Sequence, residues 1–340
     1  MNVPASATSA SVQGHRLPLS DPHPRRIVII GDTGCRITTH GAQACNNSAA
    51  WPFAAIAKRA ARDHPDLVID LGDMLYREAP CPTGNQGCTG SPYGDNAAAN
   101  RADFFSPAAP LLSAAPWVLV RGNHEICARN GLAWFRYWEP RPFKGKCAGD
   151  LTAPYRVPIP GLQLLVQDSS AASDTKANPS QVAEYRKQFA TFAKWATRPS
   201  ALLTHKPLWG FVQGSSGGLV PVTADLQAAS SNRLAAAIGL VLSGHIHGFE
   251  ALGFGGKVAS QLVIGDSATA LDPAVTKNLV GRTIGGRKVK EATTLDRFAY
   301  AVLDYSTARH AWDTVVLKDP SGKSLASCRI GVGRAACRKA

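Results

Sequence analysis

Five short apolar runs in this chain each end in a cluster of polar residues, and this pattern constrains the fold more than any other feature. The runs have the length and the β-branched content of buried strands. Each cluster contains a side chain that can bind a metal ion or move a proton. The runs and the clusters that follow them are 26–30 with Gly31 and Asp32, 66–71 with Gly72 and Asp73, 117–120 with 121–125, 201–204 with His205, and 240–242 with 243–247.

Segments with a helical spacing of apolar residues alternate with these runs, which predicts an α/β fold. The predicted helices are 51–64, 101–114, 180–197 with Ser180 as the N-cap, and 232–238. The predicted further strands are 155–157, 162–166, 298–304 and 314–317, and a long surface loop rich in Pro, Gly, Asn and Ser is predicted at 78–100. In such folds the functional site lies beyond the carboxyl ends of the strands, where all five clusters fall.

The composition is typical of a globular protein, with 45% hydrophobic and 18% charged residues. Lys and Arg outnumber Asp and Glu by 37 to 24, so the surface attracts anions, although a basic surface that serves only solubility is an equal alternative. The longest apolar run, 234–242, is interrupted by Gly239 and falls far short of the ~20 residues that cross a bilayer. Residues 1–25 lack the apolar core of a secretion signal, so we expect any such signal to have been removed.

The eight cysteines fall into four couples that are close in sequence, and no Cys-x-x-Cys occurs. An even number of cysteines in loops favours disulfides, which persist in an oxidising compartment such as the periplasm or the extracellular space. The alternative is a set of buried free thiols in a cytosolic protein. Cys35 also lies near Asp32 and is a competing metal ligand, but a disulfide is the favoured interpretation. The couples are Cys35 with Cys45, Cys81 with Cys88, Cys127 with Cys147, and Cys328 with Cys337.

The polar residues at the strand ends form an inventory typical of a metal site. Carboxylate, phenol, amide and imidazole donors suit hard or borderline ions, and seven candidate ligands are too many for a single ion with an open position. Two ions bridged by one carboxylate fit better, and such a pair supports displacement at phosphorus. Each residue alone has a structural interpretation, for example His205 as a core histidine or Tyr76 as a packing residue. The inventory is His124 and the seven candidate ligands Asp32, Asp73, Tyr76, Asn123, His205, His245 and His247.

These residues stand in motifs that resemble those of purple acid phosphatases, within the calcineurin-like metallophosphoesterases. The motifs are Gly31-Asp32-x-Gly34, Gly72-Asp73-x-x-Tyr76, Gly122-Asn123-His124-Glu125, His205 after an apolar strand, and Gly244-His245-x-His247. The resemblance implies two mixed β-sheets packed as a sandwich and flanked by helices. It also implies a catalytic domain over 26–317, preceded by an extended or disordered segment, 1–25, and followed by a basic disulfide-closed tail, 318–340. With only 25 residues before the first strand, we expect the compact form without an N-terminal β-sandwich domain.

The resemblance further implies a role for each site residue. Asp32, Tyr76 and His247 would bind Fe(III), and Asp73 would bridge it to a divalent ion, which is zinc, iron or manganese. Asn123, His205 and His245 would bind the divalent ion, and His124 would donate a proton to the leaving group. The implied activity is acid phosphatase hydrolysis of phosphate monoesters by a metal-bound hydroxide, with an acid pH optimum.

One departure sharpens the expectation of iron. Many members of the superfamily carry Asp-x-His in the first motif, but Gly34 occupies the histidine position here, and Tyr76 offers a replacement ligand. A phenolate is a hard anionic donor that favours Fe(III), and its charge-transfer band would colour the protein.

Two alternative functions remain at this stage. The basic balance also suits a phosphodiesterase or nuclease of the same superfamily, because a phosphate backbone is attracted without any reading of its sequence. A secreted, non-catalytic metal-binding protein is the other. We expect small phosphate esters as substrates, no specific nucleic acid partner and no membrane span. Arg36, Arg77, Arg121 and Lys206 flank the motifs and can either hold a phosphate or remain solvated.

Overall fold

Two seven-stranded mixed sheets, packed face to face, form the framework of the computed structural model, which describes residues 7–21, 23–159, 161–231, 233–306 and 311–340. The strands, numbered in chain order, are β1 Arg26–Ile30, β2 Leu67–Asp70, β3 Trp117–Leu119, β4 Tyr155–Ile159, β5 Leu162–Gln167, β6 Ser200–Thr204, β7 Ile238–Ser243, β8 Phe249–Gly253, β9 Ser260–Ile264, β10 Glu291–Leu295, β11 Tyr300–Ser306, β12 Ala311–Lys318, β13 Ser324–Gly331 and β14 Arg334–Lys339.

The first sheet has the order β14-β13-β12-β11-β1-β2-β3, and the second has the order β10-β8-β9-β7-β6-β5-β4. Strands β1, β2 and β3 run parallel to one another, as do β5, β6, β7 and β9. The remaining pairings within the two sheets are antiparallel, so the expected pair of mixed sheets is confirmed.

Alternating side chains of the strands divide the apolar core into layers. In β1, Ile27 and Ile29 pack between the two sheets, whereas Val28 and Ile30 face the helices on the outer side. The second sheet alternates in the same way, since Leu203 packs between the sheets and Leu202 packs against the outer helices. Both faces of the central strands are therefore buried, which explains why they are continuous apolar runs in the sequence.

Helices cover the outer faces of both sheets. Residues 97–112 form one helical segment with a π-helical turn in its middle, where the sequence predicted a helix from 101. Among the described residues, no helix has the length and apolar character required to cross a bilayer. The α-helices are Phe53–Ala61, Ala97–Asn100, Ser106–Leu112, Gly131–Ala133, Pro179–Trp195 and Ala224–Ser230; the π-helical turns are Arg101–Phe105 and Trp134–Trp138, and a 3-10 turn spans Asn123–Glu125.

Two helix predictions are wrong in detail. The helix expected at 232–238 lies earlier, at Ala224–Ser230, where Leu226 packs into the outer core of the second sheet. Residues 233–237 form turns that lead into β7, and residue 232 lies outside the described part of the chain. The N-cap of Pro179–Trp195 is Asn178 and not Ser180, because the Asn178 side chain accepts a hydrogen bond from the Ser180 N–H at 3.1 Å.

The C-terminal segment that the sequence separated as a tail continues the first sheet. Strands β13 and β14 form an antiparallel hairpin beside β12, and the Cys328–Cys337 disulfide links directly paired residues of that hairpin. Residues 11–16 form a small exposed hairpin before the first sheet.

All four predicted disulfides are present, and the described residues include no free cysteine. Cys35 is bonded to Cys45 and is therefore not a metal ligand. Cys127, Cys147 and Asp150 lie close together, but the two sulfurs are bonded to each other, so this cluster offers no thiolate.

Candidate metal site

The parallel strands of both sheets bring the polar clusters of the sequence to one edge of the sandwich. Asp32 follows β1, Asp73 follows β2, and the turn with Asn123 and His124 follows β3. From the second sheet, His205 follows β6, and the His245 and His247 pair follows β7. The expectation that all five clusters share one site is met in their placement.

Three of the site residues have a left-handed backbone conformation, which side chains other than glycine rarely adopt. Asp32, Asp73 and His245 have φ values of 55°, 61° and 73°. Such strain persists only where neighbouring contacts impose it. The Asp32 N–H donates to the Gly72 carbonyl oxygen at 2.9 Å, and the His245 N–H donates to Asp32 Oδ2 at 2.8 Å.

Two motif glycines are required by close approach. A Cβ atom on Gly122 would lie 2.0 Å from Asp73 Oδ1, and one on Gly244 would lie 2.4 Å from Asp32 Oδ2. Any larger residue would displace the carboxylates. The glycines of these motifs therefore make room for the site.

Tyr76 lies at the centre of a first group of possible metal-ligand atoms. Its Oη is 2.6 Å from Asp73 Oδ2, 3.1 Å from Asp32 Oδ1 and 2.7 Å from His247 Nε2. A phenol carries one proton and can donate to only one of the two carboxylate oxygens, while His247 Nε2 donates or accepts according to its tautomer. Burial and the Asp73 and Asp32 carboxylates raise the pKa of the Tyr76 phenol well above its usual value.

His205 lies at the centre of a second group, which shares Asp73 with the first. His205 Nε2 is 3.2 Å from Asp73 Oδ2 and 3.0 Å from Asn123 Oδ1, and the His245 ring packs edge-on against it with the centroids 5.2 Å apart. His205 Nδ1 lies 2.8 Å from the carbonyl oxygen of Leu71, which is the arrangement that leaves the Nε2 lone pair facing the site.

Both groups have the chemistry of a cation site. Asp73, His205 and His245, and likewise Asp32, Asp73 and His247, place ligand atoms within 4.8 Å of one another. Burial alone would lower the pKa of His205, but the Asp73 carboxylate outweighs it and raises that pKa to about 9. The cluster thus favours an added positive charge. Carboxylate, phenol, amide and imidazole donors fit hard or borderline metal ions.

His124 lies beside this cluster with a carboxylate behind it. Its ring stacks over that of Tyr76 with the centroids 3.7 Å apart, and its Nε2 lies 3.9 Å from Asp73 Oδ2. On the other side of the ring, Nδ1 lies 2.8 Å from Glu78 Oε1, which is close enough for an ion pair although the N–H is not aligned for a hydrogen bond. Arg129 Nε approaches the same oxygen at 3.4 Å.

Three of the four basic residues that flank the motifs are paired with other protein groups. They are therefore neither solvated nor free to hold a phosphate. Arg77 pairs with the buried Asp103, and Arg121 donates to Asp168 and to backbone carbonyls. Lys206 donates to Asp174 Oδ2 at 2.9 Å. Arg36 differs, because it lines an open cleft beside the candidate metal ligands.

Arg36 and the Ala270 carbonyl group compete for the same ring nitrogen of His247. Arg36 Nη2 lies 2.8 Å from His247 Nδ1, and that nitrogen also lies 3.0 Å from the Ala270 carbonyl oxygen. A ring nitrogen cannot both donate to a carbonyl and accept from a guanidinium. If Nε2 faces a metal, Nδ1 carries the proton and donates to Ala270, which leaves the Arg36 group free for an anion.

Sequence reasoning missed the carboxylates that surround the site. Glu125 accepts four backbone N–H groups from the turns around Asp73, and only its place in the 122–125 motif hinted at this. Asp174 lies 3.2 Å from His245 Nε2 and comes from a loop without any motif. Glu78 is the third.

Comparison with known protein families finds a match for the part of the chain that carries the site residues. The model of the calcineurin-like phosphoesterases matches residues 25–249, well over half of the chain. No curated protein sequence matches.

Similar solved structures include a purple acid phosphatase, PPD1, from seeds of yellow lupin (Lupinus luteus), with 16% identity and a TM-score of 0.54 over 96% of this chain. The alignment spans only 56% of the lupin chain. PhoD has 12% identity, a TM-score of 0.58 and coverage of 96% of this chain and 73% of its own. GAP50, described as the anchor in the inner membrane complex of Plasmodium, has 12% identity, a TM-score of 0.57 and coverage of 91% and 89%. At these identities the likeness establishes the fold alone. The family match, which covers well over half of the chain, shows that the chain belongs to the calcineurin-like phosphoesterases.

Proposed function

We propose that this protein is an acid phosphatase that hydrolyses phosphate monoesters at an Fe(III)–divalent metal centre. One observation carries the proposal: the Tyr76 hydroxyl lies within 3.1 Å of donor atoms from Asp32, Asp73 and His247. A phenol among two carboxylates and an imidazole is the donor set that favours a hard trivalent ion. Gly34 leaves no competing histidine in the first motif.

Asp32, Tyr76 and His247 would hold the ferric ion, and Asp73 would bridge to the second ion. Asn123, His205 and His245 would hold that divalent ion, for which zinc, iron or manganese are the candidates. When bound, the two ions would supply Lewis acidity at the phosphate.

The residues around the centre divide the remaining tasks. Arg36 would bind a non-bridging phosphate oxygen, and its charge would orient the ester in the cleft. His124 would protonate the leaving oxygen, a task worth about 10²–10⁴-fold in rate for a well-placed acid. The Glu78 contact at Nδ1 leaves His124 Nε2 on the side of the ring that approaches Asp73.

The protein would work in an oxidising compartment, outside the cell or in the periplasm. Four disulfides support this location, because such bonds are rare in a reducing cytosol.

A phosphodiesterase is the second candidate, and the charge of the cleft favours it. Arg36 is the only Lys or Arg among the described residues that line the cleft, while Asp174 and Asp272 are acidic. A single cation beside two carboxylates suits the single negative charge of a diester better than the double charge of a monoester.

The test compares p-nitrophenyl phosphate with bis-p-nitrophenyl phosphate at pH 5 for the metal-loaded protein and for His124→Ala. We expect higher kcat/KM on the monoester, and a lower kcat in the variant, most visibly when an alkyl phosphate with a poor leaving group is the substrate. A faster diester reaction would favour the second candidate, and no hydrolysis of either ester would refute both.

A further inference from the structure

The cleft that contains the candidate metal ligands has a volume of about 340 Å³, and one of its walls is aliphatic. We propose that this wall binds the alcohol part of the substrate, so that the preferred esters are phosphates of apolar alcohols. The inference rests on the proposed phosphatase function, because it specifies the substrate of that site. The wall consists of Val212, Val220, Pro221, Val222 and Ile246.

A short hairpin outside the two main sheets supplies most of the wall. Its strands are Phe211–Gln213 and Leu219–Pro221, and Val212 pairs directly with Val220. Directly opposite residues of an antiparallel pair project to the same face. Val220 is 40% exposed, which leaves its apolar surface free for a ligand.

The wall reaches the candidate metal ligands themselves. Ile246 stands between His245 and His247 in the chain and packs with Val222, Val263 and Val212. An ester whose phosphate lies at the metal ligands would therefore have its alcohol carbon atoms next to these side chains. Arg36 lines the same cleft and would bind the phosphate end.

The described lining of the cleft offers a nucleotide base little to stack on. It contains no Trp or Phe, and the Tyr76 ring is 1% exposed, so the remaining rings are those of His124, His245 and His247, which have roles at the proposed metal centre. Asp174 and Asp272 line the cleft and repel further phosphate groups. An apolar alcohol with a single phosphate fits these constraints better than a nucleoside polyphosphate.

Binding of n-alkylphosphonates tests the wall without any turnover, because their C–P bond is not an ester. Calorimetry on the metal-loaded protein would compare ethyl, butyl, hexyl and octyl phosphonate with AMP. We expect affinity to rise about threefold to fourfold per methylene until the wall is covered, since each buried methylene contributes about that factor. Hexylphosphonate should bind more tightly than AMP.

Val220→Asn should flatten this dependence on chain length and leave the affinity for inorganic phosphate unchanged. Val280→Asn is the matched control, because Val280 is 46% exposed and is not part of the cleft lining. Val220→Ala, a smaller change, serves if the asparagine variant fails to fold. Affinity independent of chain length, or tighter binding of AMP, would overturn the proposal.

The same alkyl phosphates as substrates separate this inference from the proposed function. Normal hydrolysis with flat kcat/KM across the series would reject the wall and keep the phosphatase. Chain-length-dependent phosphonate binding without hydrolysis of any ester would keep the wall and reject the phosphatase.

Discussion

Replacing Glu125 by glutamine should destabilise the protein although the two side chains have almost the same shape. Glu125 is fully buried beneath the turn that carries Asp73. Its Oε1 accepts from the N–H groups of Met74 and Leu75 at 2.9 and 3.3 Å. Its Oε2 accepts from the N–H groups of Asp73 and Gly122, both at 3.0 Å.

The magnitude follows from counting the donors that lose their acceptor. In either orientation of the amide that Glu125→Gln introduces, the NH₂ group faces two backbone N–H groups, which become buried and unpaired. Each such group costs about 1–3 kcal/mol, so we expect a loss of about 2–6 kcal/mol in unfolding free energy. Burial and the Asp73 charge raise the pKa of Glu125, but the four backbone N–H donors favour its ionised form, because a proton on either oxygen would face two of them.

Urea unfolding of the metal-free protein, followed by circular dichroism, would measure this loss without a contribution from metal binding. Glu184→Gln is the control, because Glu184 is exposed and forms only a surface pair with Lys187, and it should change stability by less than about 0.5 kcal/mol. A Glu125→Gln variant whose stability stays within about 1 kcal/mol of the wild type would refute the reasoning that this carboxylate holds the turn.

Three further predictions follow from the structure. Arg36→Ala should raise KM for a monoester about 10–100-fold with a smaller effect on kcat, because a charged hydrogen bond to the phosphate is lost; an unchanged KM would remove Arg36 from the site. Burial raises the pKa of Glu250 from 4.5 to about 8, so the folded state holds a proton that the unfolded state releases between these values. Stability should therefore fall as pH rises across that window, by at most about 1.4 kcal/mol per pH unit from this group, and Glu250→Gln should flatten the dependence; identical pH profiles of stability would contradict this. Replacing Cys127 and Cys147 together by Ser opens a loop with a sequence separation of 20 and should cost about 3 kcal/mol in denaturant unfolding, and no loss would contradict the chain-entropy argument.

The placement of the strand-end residues was predictable from the sequence, whereas the placement of their surroundings was not, and the reason is physical. Asp32, Asp73 and His205 directly follow buried strands, so the strand positions alone bring them to one edge of the sheets. The residues between strands are placed by loops, whose course depends on tertiary packing. Asp174 reaches His245 from such a loop, and no local pattern indicates it.

Two further differences have similar causes. Arg121 flanks a motif and suggested a phosphate contact, but the fold buries its guanidinium against Asp168 and the Gly149 carbonyl. The helix expected at 232–238 was inferred from an apolar run that belongs partly to strand β7. Short apolar runs do not distinguish a strand from a buried helix, and here Ile238 pairs with Ser200 in the sheet while Leu226 packs into the outer core from the earlier helix.

The visible absorption spectrum and the metal content of protein purified without chelator test the central proposal most directly. We expect a broad visible charge-transfer band from the Tyr76 phenolate to iron, with about one iron and one further divalent metal per chain. Tyr76→Phe should abolish the band while the protein remains folded. A colourless wild-type protein that holds two divalent ions would contradict the ferric assignment, and a protein that binds no metal would contradict the catalytic account.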